Sequence, residues 1–259
     1  MFKNHLFQLL TIIAMEQPAR FEADGIRDKK MDVLKAIRPF DKADLDRNAL
    51  RAQYKSGRVD GRKVPGYREE EGISPGSLTP TLAALRLEID NPRWKGVPFY
   101  LRSGKRMSQG VTEIFIQFKP VSASMFQPFF ADQISPNRLR FRIHPDEGIS
   151  ICFEAKHPGP KLCMSTVTMD FSYQDTFGTP PPEAYSRLFL DAMIGDQTLF
   201  ARNDEVEQAW KILDPILKFW EAKGKDGLFF YPAGSWGPSE IDDFLAREGR
   251  RWDFPYTSC

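Results

Sequence analysis

The sequence is poor in the two residue types that most often hold transition metals. It has three histidines and three cysteines among 259 residues, and the cysteines, Cys152, Cys163 and Cys259, stand at spacings that match no zinc-site pattern. Neither sign of charge dominates, because 36 basic and 35 acidic residues leave a net charge of +1. Balanced charge argues against a nucleic-acid footprint and against a polybasic membrane surface. We therefore expect no metal, no nucleic acid and no membrane among the partners of this chain.

Long apolar runs are also missing. No stretch approaches the roughly 20 apolar residues that are needed to cross a bilayer. The most apolar segment, which ends in LLTIIAM, is interrupted by His5 and Gln8 and is followed by Glu16 without a small-residue cleavage site, so it does not have the form of a secretory signal. We expect the chain to be cytoplasmic.

Apolar side chains recur with helical spacing near both ends of the chain. At the start they stand at Leu6, Leu9, Leu10 and Ile13, which are positions i, i+3, i+4 and i+7 of an amphipathic helix. The predicted helices cover residues 3–15, 25–37, 182–194 and 203–221. In the third helix Tyr185, Leu188, Phe189 and Ala192 fall on one side.

Between these helices the hydrophobic period changes to two, which is typical of half-buried strands. The alternating segments are LRLEID, VPFYLR, TEIFIQF, NRLRFRI, GISICFE and, more weakly, KLCMSTVTMDFSY. Their connections are mostly short and turn-like, such as DNPRWKG and HPDEG, which suits antiparallel neighbours. The sequence therefore predicts an α+β fold over residues 1–259 as a single domain, with a large, mainly antiparallel β-sheet and helices packed on one face.

Two segments lack a clear period. Residues 55–80 are rich in glycine, proline and charge, which predicts a long mobile loop. The residues from 225 onwards are expected to be irregular.

The predicted sheet has apolar residues on both faces, for example Phe115 beside Ile114 and Ile116. Because helices are expected on only one face, the other face invites a partner. We therefore expect a homodimer that forms through the β-sheet face. The alternative is an outer face that is exposed to solvent.

Motifs for the common nucleotide and zinc-hydrolase sites are absent, since no GxGxxG follows a strand and neither GxxxxGK[ST] nor HExxH occurs. The first local feature that remains is the Asn4-His5 pair at the edge of the first apolar helix face. His5 is either a satisfied structural residue or a general base.

The second feature is the basic stretch FYLRSGKRM. A predicted strand delivers Arg102, and Lys105 and Arg106 follow a Ser-Gly pair. Clustered cations at a strand end suit a phosphate or carboxylate, although an ordinary basic turn has the same composition.

The third feature is RFRIHP, in which Arg140, Arg142 and His144 fall on one strand face. Three such groups need an anionic or polar partner. An acidic neighbouring strand would satisfy them as well as a ligand would.

These features lie in stretches that resemble glucose-6-phosphate dehydrogenase, and specifically its C-terminal domain. The matching stretches are NHLFQLLTIIAMEQPA, GIRDKKMDVLKAI, LEIDNPRWKGVPFYLRSGKRM, TEIFIQFK and PPEAYSRLFLDAMIGDQTLFARNDEVEQAWKILDPI. They follow the family's order over nearly the whole chain. The resemblance implies the substrate-binding and dimerisation domain, with the N-terminal coenzyme-binding Rossmann domain lying outside this sequence.

The resemblance also implies roles for individual residues. The family oxidises glucose 6-phosphate to 6-phosphogluconolactone with hydride transfer to NADP, and the residue that matches its general base is His5. Lys105 matches a substrate-binding lysine, Arg102 is a further candidate on the same strand, and His144 stands where the family has a substrate-contacting glutamine. The carboxylate that orients the base and the NADP-binding loop both precede the first residue of this sequence, so we expect NADP to be bound outside this chain.

Two functions are compatible with this resemblance. In the first, the chain is the C-terminal portion of a glucose-6-phosphate dehydrogenase of the oxidative pentose phosphate pathway, inactive alone and active with a separate N-terminal half. In the second, it is a non-catalytic module, derived from that enzyme, that dimerises or binds sugar phosphates.

Overall fold

The computed structural model describes residues 1–120, 134–160, 163–178 and 184–253. Its described α-helices are α1 Phe7–Ala14, α2 Ala23–Ala36, α3 Leu45–Asn48, α4 Tyr173–Phe177, α5 Ala184–Ile194, α6 Asn203–Lys223 and α7 Glu240–Ala246. A π-helical turn, Phe2–Leu6, leads into α1, and a 3-10 turn covers Tyr67–Glu69. Within these ranges no helix is long and apolar enough to cross a membrane.

The described strands are β1 Ala49–Lys55, β2 Gly57–Val59, β3 Arg62–Val64, β4 Leu82–Glu88, β5 Pro98–Gly104, β6 Thr112–Gln117, β7 Arg138–His144, β8 Gly148–Lys156, β9 Met164–Ser172 and β10 Leu228–Pro232. They lie in two four-stranded sheets and one hairpin, β2–β3. Every pairing is antiparallel except β1 with β10, which is parallel. The predicted α+β class with mainly antiparallel strands is confirmed.

The chain divides into two compact units. The first contains residues 1–109 and 184–251, with a sheet in the order β10-β1-β4-β5. Its core joins α1, α2 and α6 to β4 and β5; the most buried large side chains of this core are Phe7, Leu34, Leu45, Leu85, Leu87, Ile89 and Ile216. Full burial of each such side chain contributes roughly 1.5–3 kcal/mol, so the amphipathic faces of these helices supply much of the stability of this unit.

Strand β1 is buried on both faces although its sequence, ALRAQYK, alternates between apolar and polar residues. Arg51 donates from Nη2 to the carbonyl oxygens of Gly224 (2.6 Å) and Asp226 (3.1 Å). Gln53 donates from Nε2 to Thr79 O at 2.9 Å and accepts from Arg68 Nε at 2.7 Å. Because buried polar groups need such partners, the burial of Arg51 depends on the distant Gly224 and Asp226, whereas Gln53 is covered by the segment that follows β1.

That segment, residues 55–80, is not the predicted mobile loop. It contains the hairpin and the 3-10 turn, and Tyr67 packs edge-on against Tyr54 with ring centroids 5.8 Å apart. The expectation of an irregular end is also wrong, since β10 and α7 lie beyond residue 225.

Helix α5, Ala184–Ile194, lies within the predicted range of residues 182–194. Tyr185 and Phe189, which the sequence placed on one side of it, are 72% and 66% exposed, whereas Asp191 is fully buried. These two aromatic side chains are therefore not part of the core.

The second unit contains residues 110–183 and the end of the chain from Trp252, with a sheet in the order β6-β7-β8-β9. Its register places apolar side chains of all four strands on one face: Ile114, Ile116, Leu139, Phe141, Ile149, Ile151, Phe153, Val167, Met169 and Phe171. None of these is buried, and Met169 is 63% exposed. The opposite face is polar and carries the buried Ser150.

Candidate functional site

The Asn4-His5 pair lies in the π-helical turn that leads into α1. Both side chains are exposed, while Phe7, Leu10 and Ala14 of the following helix are buried. The backbone N–H of His5 donates to Met1 O at 2.8 Å. His5 is therefore not a packed core histidine, and its imidazole is accessible at the end of an anchored helix.

The turn that carries His5 contacts both β5 and α6. Lys3 in this turn lies over the Trp210 ring of α6, with Nζ 5.0 Å from the centroid. Lys3 and Asn4 also line a small cleft with Gln8 and Glu205. In that cleft Glu205 is 1% exposed, and its Oε1 has no hydrogen-bond partner among the described residues.

Lys105 follows the last residue of β5, and its backbone is held on both sides. Its N–H donates to Thr81 O at 2.8 Å, and its carbonyl accepts from the Tyr231 hydroxyl at 2.7 Å. The next residue, Arg106, has a φ of 52°, so the chain turns sharply there. The Lys105 side chain is exposed. Neighbouring elements therefore fix the backbone that follows the Ser-Gly pair.

Arg102 lies on β5, opposite Ala84 of β4, and is half-buried. Its Nη1 donates to Trp236 O at 3.4 Å, and its guanidinium carbon lies 5.8 Å from the Trp236 ring centroid. Because Arg102 contacts the loop before α7 in this way, part of its hydrogen-bonding capacity is already used within the protein.

The arginines of β7 have acidic neighbours, as one of the two sequence interpretations proposed. Arg142 binds Asp170 of β9 through two contacts of 2.5 and 3.2 Å, and this hydrogen bonding lowers the pKa of the Asp170 carboxyl. Arg140 binds Asp253 at 2.8 Å. His144 stands at the end of the same strand and is exposed.

The structure thus brings three of the four candidate residues into one unit. The His5 turn contacts β5, β5 carries Arg102, and Lys105 comes directly after it. His144 belongs to the second unit.

Two residues near the candidate site had no signal in the sequence. Tyr231 contacts Lys105 across 126 residues of chain, and Glu205 contacts Gln8 across 197. To find them from the sequence, one would need a signal that β10 lies beside β1, or that α6 lies close to α1.

Comparison with known proteins decides the family. The model of the family described as "Glucose-6-phosphate dehydrogenase, C-terminal domain" matches residues 1–253. The chain belongs to this family. Within it, the chain is 47% identical over 255 residues to glucose-6-phosphate 1-dehydrogenase of Aggregatibacter actinomycetemcomitans and 44% identical over 256 residues to that of Treponema pallidum. Each match covers 98% of this chain and 50% of the relative.

Solved structures of glucose-6-phosphate dehydrogenases have the same fold. One, a glucose-6-phosphate dehydrogenase in complex with its substrate glucose-6-phosphate, has a TM-score of 0.86 at 37% identity and is matched over 98% of this chain and 50% of that chain. Another, from Mycobacterium avium, has a TM-score of 0.80 at 32% identity and is matched over 100% of this chain and 51% of that chain. The chain therefore spans about half the length of the glucose-6-phosphate dehydrogenases that it matches.

Proposed function

We propose that this chain supplies the sugar-phosphate-binding half of a glucose-6-phosphate dehydrogenase. The complete enzyme oxidises glucose 6-phosphate to 6-phosphogluconolactone with NADP, in the oxidative pentose phosphate pathway. The observation that carries the proposal is the position of His5. Its imidazole is exposed on a turn that contacts β5, the strand that leads into Lys105.

In this proposal His5 is the general base. An imidazole is protonated and deprotonated near neutral pH, so it can accept the proton of the C1 hydroxyl during the oxidation. Lys105 binds the anionic substrate through its exposed amine, and Arg102, on the strand that leads into Lys105, is a further substrate contact. The match to a relative that was solved with glucose 6-phosphate supports this substrate.

We place the NADP site outside this chain. The sequence has no GxGxxG after a strand, which is the motif that places a dinucleotide pyrophosphate at a helix N-terminus. We therefore assign the hydride acceptor to the half of the enzyme that lies outside this sequence, and expect the chain alone to have no dehydrogenase activity.

We also propose that the chain forms a homodimer through the sheet of the second unit. The support is the apolar face of β6–β9, whose ten side chains are half-buried or exposed. Exposed apolar patches of this kind on a sheet mark protein interfaces.

The activity is tested by complementation. The 259-residue chain is mixed with the half of the Aggregatibacter relative that it does not match, and NADPH absorbance is followed with glucose 6-phosphate. We expect turnover in the mixture, none with either half alone, and a loss of at least about a hundredfold in His5→Ala, because general-base catalysis contributes roughly 10²–10⁴ in rate.

The matched control is His157→Ala. His157 is exposed, and its Nδ1 contacts Pro158 O at 2.8 Å, so its removal should leave turnover unchanged. Full turnover in His5→Ala would refute the role of His5. An inactive mixture, even when the two halves are fused, would favour the non-catalytic module instead.

A further inference from the structure

Lys105 presents its amine from a backbone that is hydrogen-bonded on both sides. Its N–H donates to the carbonyl of Thr81, the residue before β4, and its carbonyl accepts from Tyr231 of β10. The carbonyl of Arg106 then accepts from Gly234 N–H at 2.8 Å, so two successive carbonyls in this turn are bound by the segment that contains β10.

Tyr231 lies where its hydroxyl can link several strands. Its ring is 1% exposed, and β10 runs parallel to β1 with Tyr231 opposite Tyr54. The hydroxyl contacts Lys105 O at 2.7 Å and Thr81 Oγ1 at 3.1 Å. Burial raises the pKa of Tyr231 to about 12, so the hydroxyl keeps its proton and remains a donor at neutral pH.

The hydrogen bonds around this hydroxyl have one consistent direction. The backbone N–H of Tyr54 donates to Thr81 Oγ1 at 3.0 Å. The Thr81 hydroxyl then donates to the Tyr231 oxygen, and the single proton of Tyr231 goes to Lys105 O, its nearest acceptor. The relay begins in the central strand β1 and ends on the peptide group that precedes Arg106. It therefore connects the rigid centre of the sheet to the residue that presents the amine.

We propose that Tyr231 is a positioning residue for substrate binding, which acts through Lys105 by fixing its carbonyl. This inference rests on the proposed function, in which the Lys105 amine binds the anionic group of glucose 6-phosphate. Without the Tyr231 hydroxyl, the Lys105 carbonyl can bind water instead, so the fold survives. The orientation of the peptide group is then no longer fixed, and ordering the lysine costs binding free energy.

The test is Tyr231→Phe in the complementing mixture, with glucose 6-phosphate as the varied substrate. If substrate binding is weakened by the typical net contribution of one hydrogen bond, KM rises about fivefold. The kcat should stay within about twofold, because His5 is untouched. Tyr100→Phe is the matched control, since it removes a tyrosine hydroxyl that donates to Glu248.

A double-mutant cycle separates positioning from a merely structural role. In a Lys105→Ala background, Tyr231→Phe should have no further effect on KM, because the group that it positions is gone. Additive losses would overturn the proposal. Thr81→Val, which breaks the relay at its previous step, should raise KM in the same direction, and Thr81→Ser should restore the parent value.

A second readout uses the chain alone and does not depend on activity. In NMR spectra of the intact 259-residue chain, Tyr231→Phe should shift the carbonyl carbon resonance of Lys105 and leave those of β8 in place. An inactive parent mixture, or a Lys105→Ala variant with unchanged KM, would count against the proposed function. An unshifted Lys105 carbonyl would count against the positioning role of Tyr231.

Discussion

At the scale of single residues, a buried ion pair lies beneath the turn that carries His5. Lys30 of α2 and Glu205 of α6 are 2.8 Å apart, with side chains only 6% and 1% exposed. Gln8 of α1 donates to the same carboxylate oxygen at 3.4 Å. The pair therefore joins the three helices that support the candidate base. Removing one partner should lower the free energy of unfolding strongly, because the other charge then stays buried without compensation.

We predict that Glu205→Ala destabilises the chain by about 3–5 kcal/mol, the range found when one partner of a buried pair is deleted. The measurement is urea unfolding followed by circular dichroism. The double variant Lys30→Met with Glu205→Leu should recover most of the loss, because apolar side chains of similar volume need no counter-charge.

The control for this prediction is a more exposed ion pair on α2, the helix that carries Lys30. Lys29 and Asp32 are 3.2 Å apart, with side chains 38% and 64% exposed, so Lys29→Ala should change stability by no more than about 1 kcal/mol. If the double variant is as unstable as Glu205→Ala, the loss arises from packing and not from the unpaired lysine.

At the scale of elements, the hairpin β2–β3 is fixed by the turn after β10. A Cβ on Gly57 would stand 2.2 Å from Ala233 O. Gly234 has a φ of +86°, and a Cβ there would stand 1.7 Å from Arg58 O. Arg58 N–H also donates to Ala233 O at 3.1 Å. Two glycines thus allow two backbones to touch, which orders a segment whose composition is typical of loops.

Gly57→Ala tests this close contact. The methyl group collides with a backbone carbonyl that cannot move aside as a side chain can, so we predict a loss of about 2 kcal/mol or more. Gly76→Ala is the comparison, because the nearest atom to its added Cβ is Ser74 Oγ at 4.0 Å, and it should be neutral or slightly stabilising. Equal urea midpoints for the two variants would contradict a packed hairpin.

Elements whose pattern is local were predictable from the sequence. Helices α1, α2 and α6 and strands β4 to β9 show the period of their apolar face in their own residues. Strand β1 has the alternation of a half-exposed strand, yet it is buried because the distant Gly224 and Asp226 bind Arg51 and the segment after β1 covers Gln53. Strand β10 is short and ends in proline, and its partner β1 lies far away in sequence. The hydrophobic period of a segment does not tell which residues, distant in the sequence, will cover it.

The candidate site was predictable to the same extent. His5 and Lys105 stand in long stretches that resemble one family, so they could be named in advance. Tyr231 could not, because a buried tyrosine in LFFYP has the pattern of ordinary core, and its role depends on a contact across 126 residues.

At the scale of the whole molecule, the sheet of the second unit presents an imbalance between its faces. The polar face is satisfied internally, for example by Arg142 with Asp170 and by Arg140 with Asp253. On the apolar face Phe171 packs against Tyr173 and Phe177 of α4, whereas Met169, on the edge strand, is 63% exposed. Exposing an apolar face to water is unfavourable, and a dimer formed through this face would bury it in both copies.

Met169→Glu tests whether this face pairs two copies. Because Met169 is mostly exposed in one copy, the change should leave the fold and the urea midpoint nearly unaltered. In a dimer the same glutamate would be desolvated without a partner, which we predict weakens association by at least about tenfold, or 1.4 kcal/mol. Sedimentation velocity over a range of concentrations measures the shift towards monomer. Phe21→Glu is the control, since Phe21 is 88% exposed and lies in the first unit. If Phe21→Glu dissociates the chain and Met169→Glu does not, the interface lies outside the sheet face.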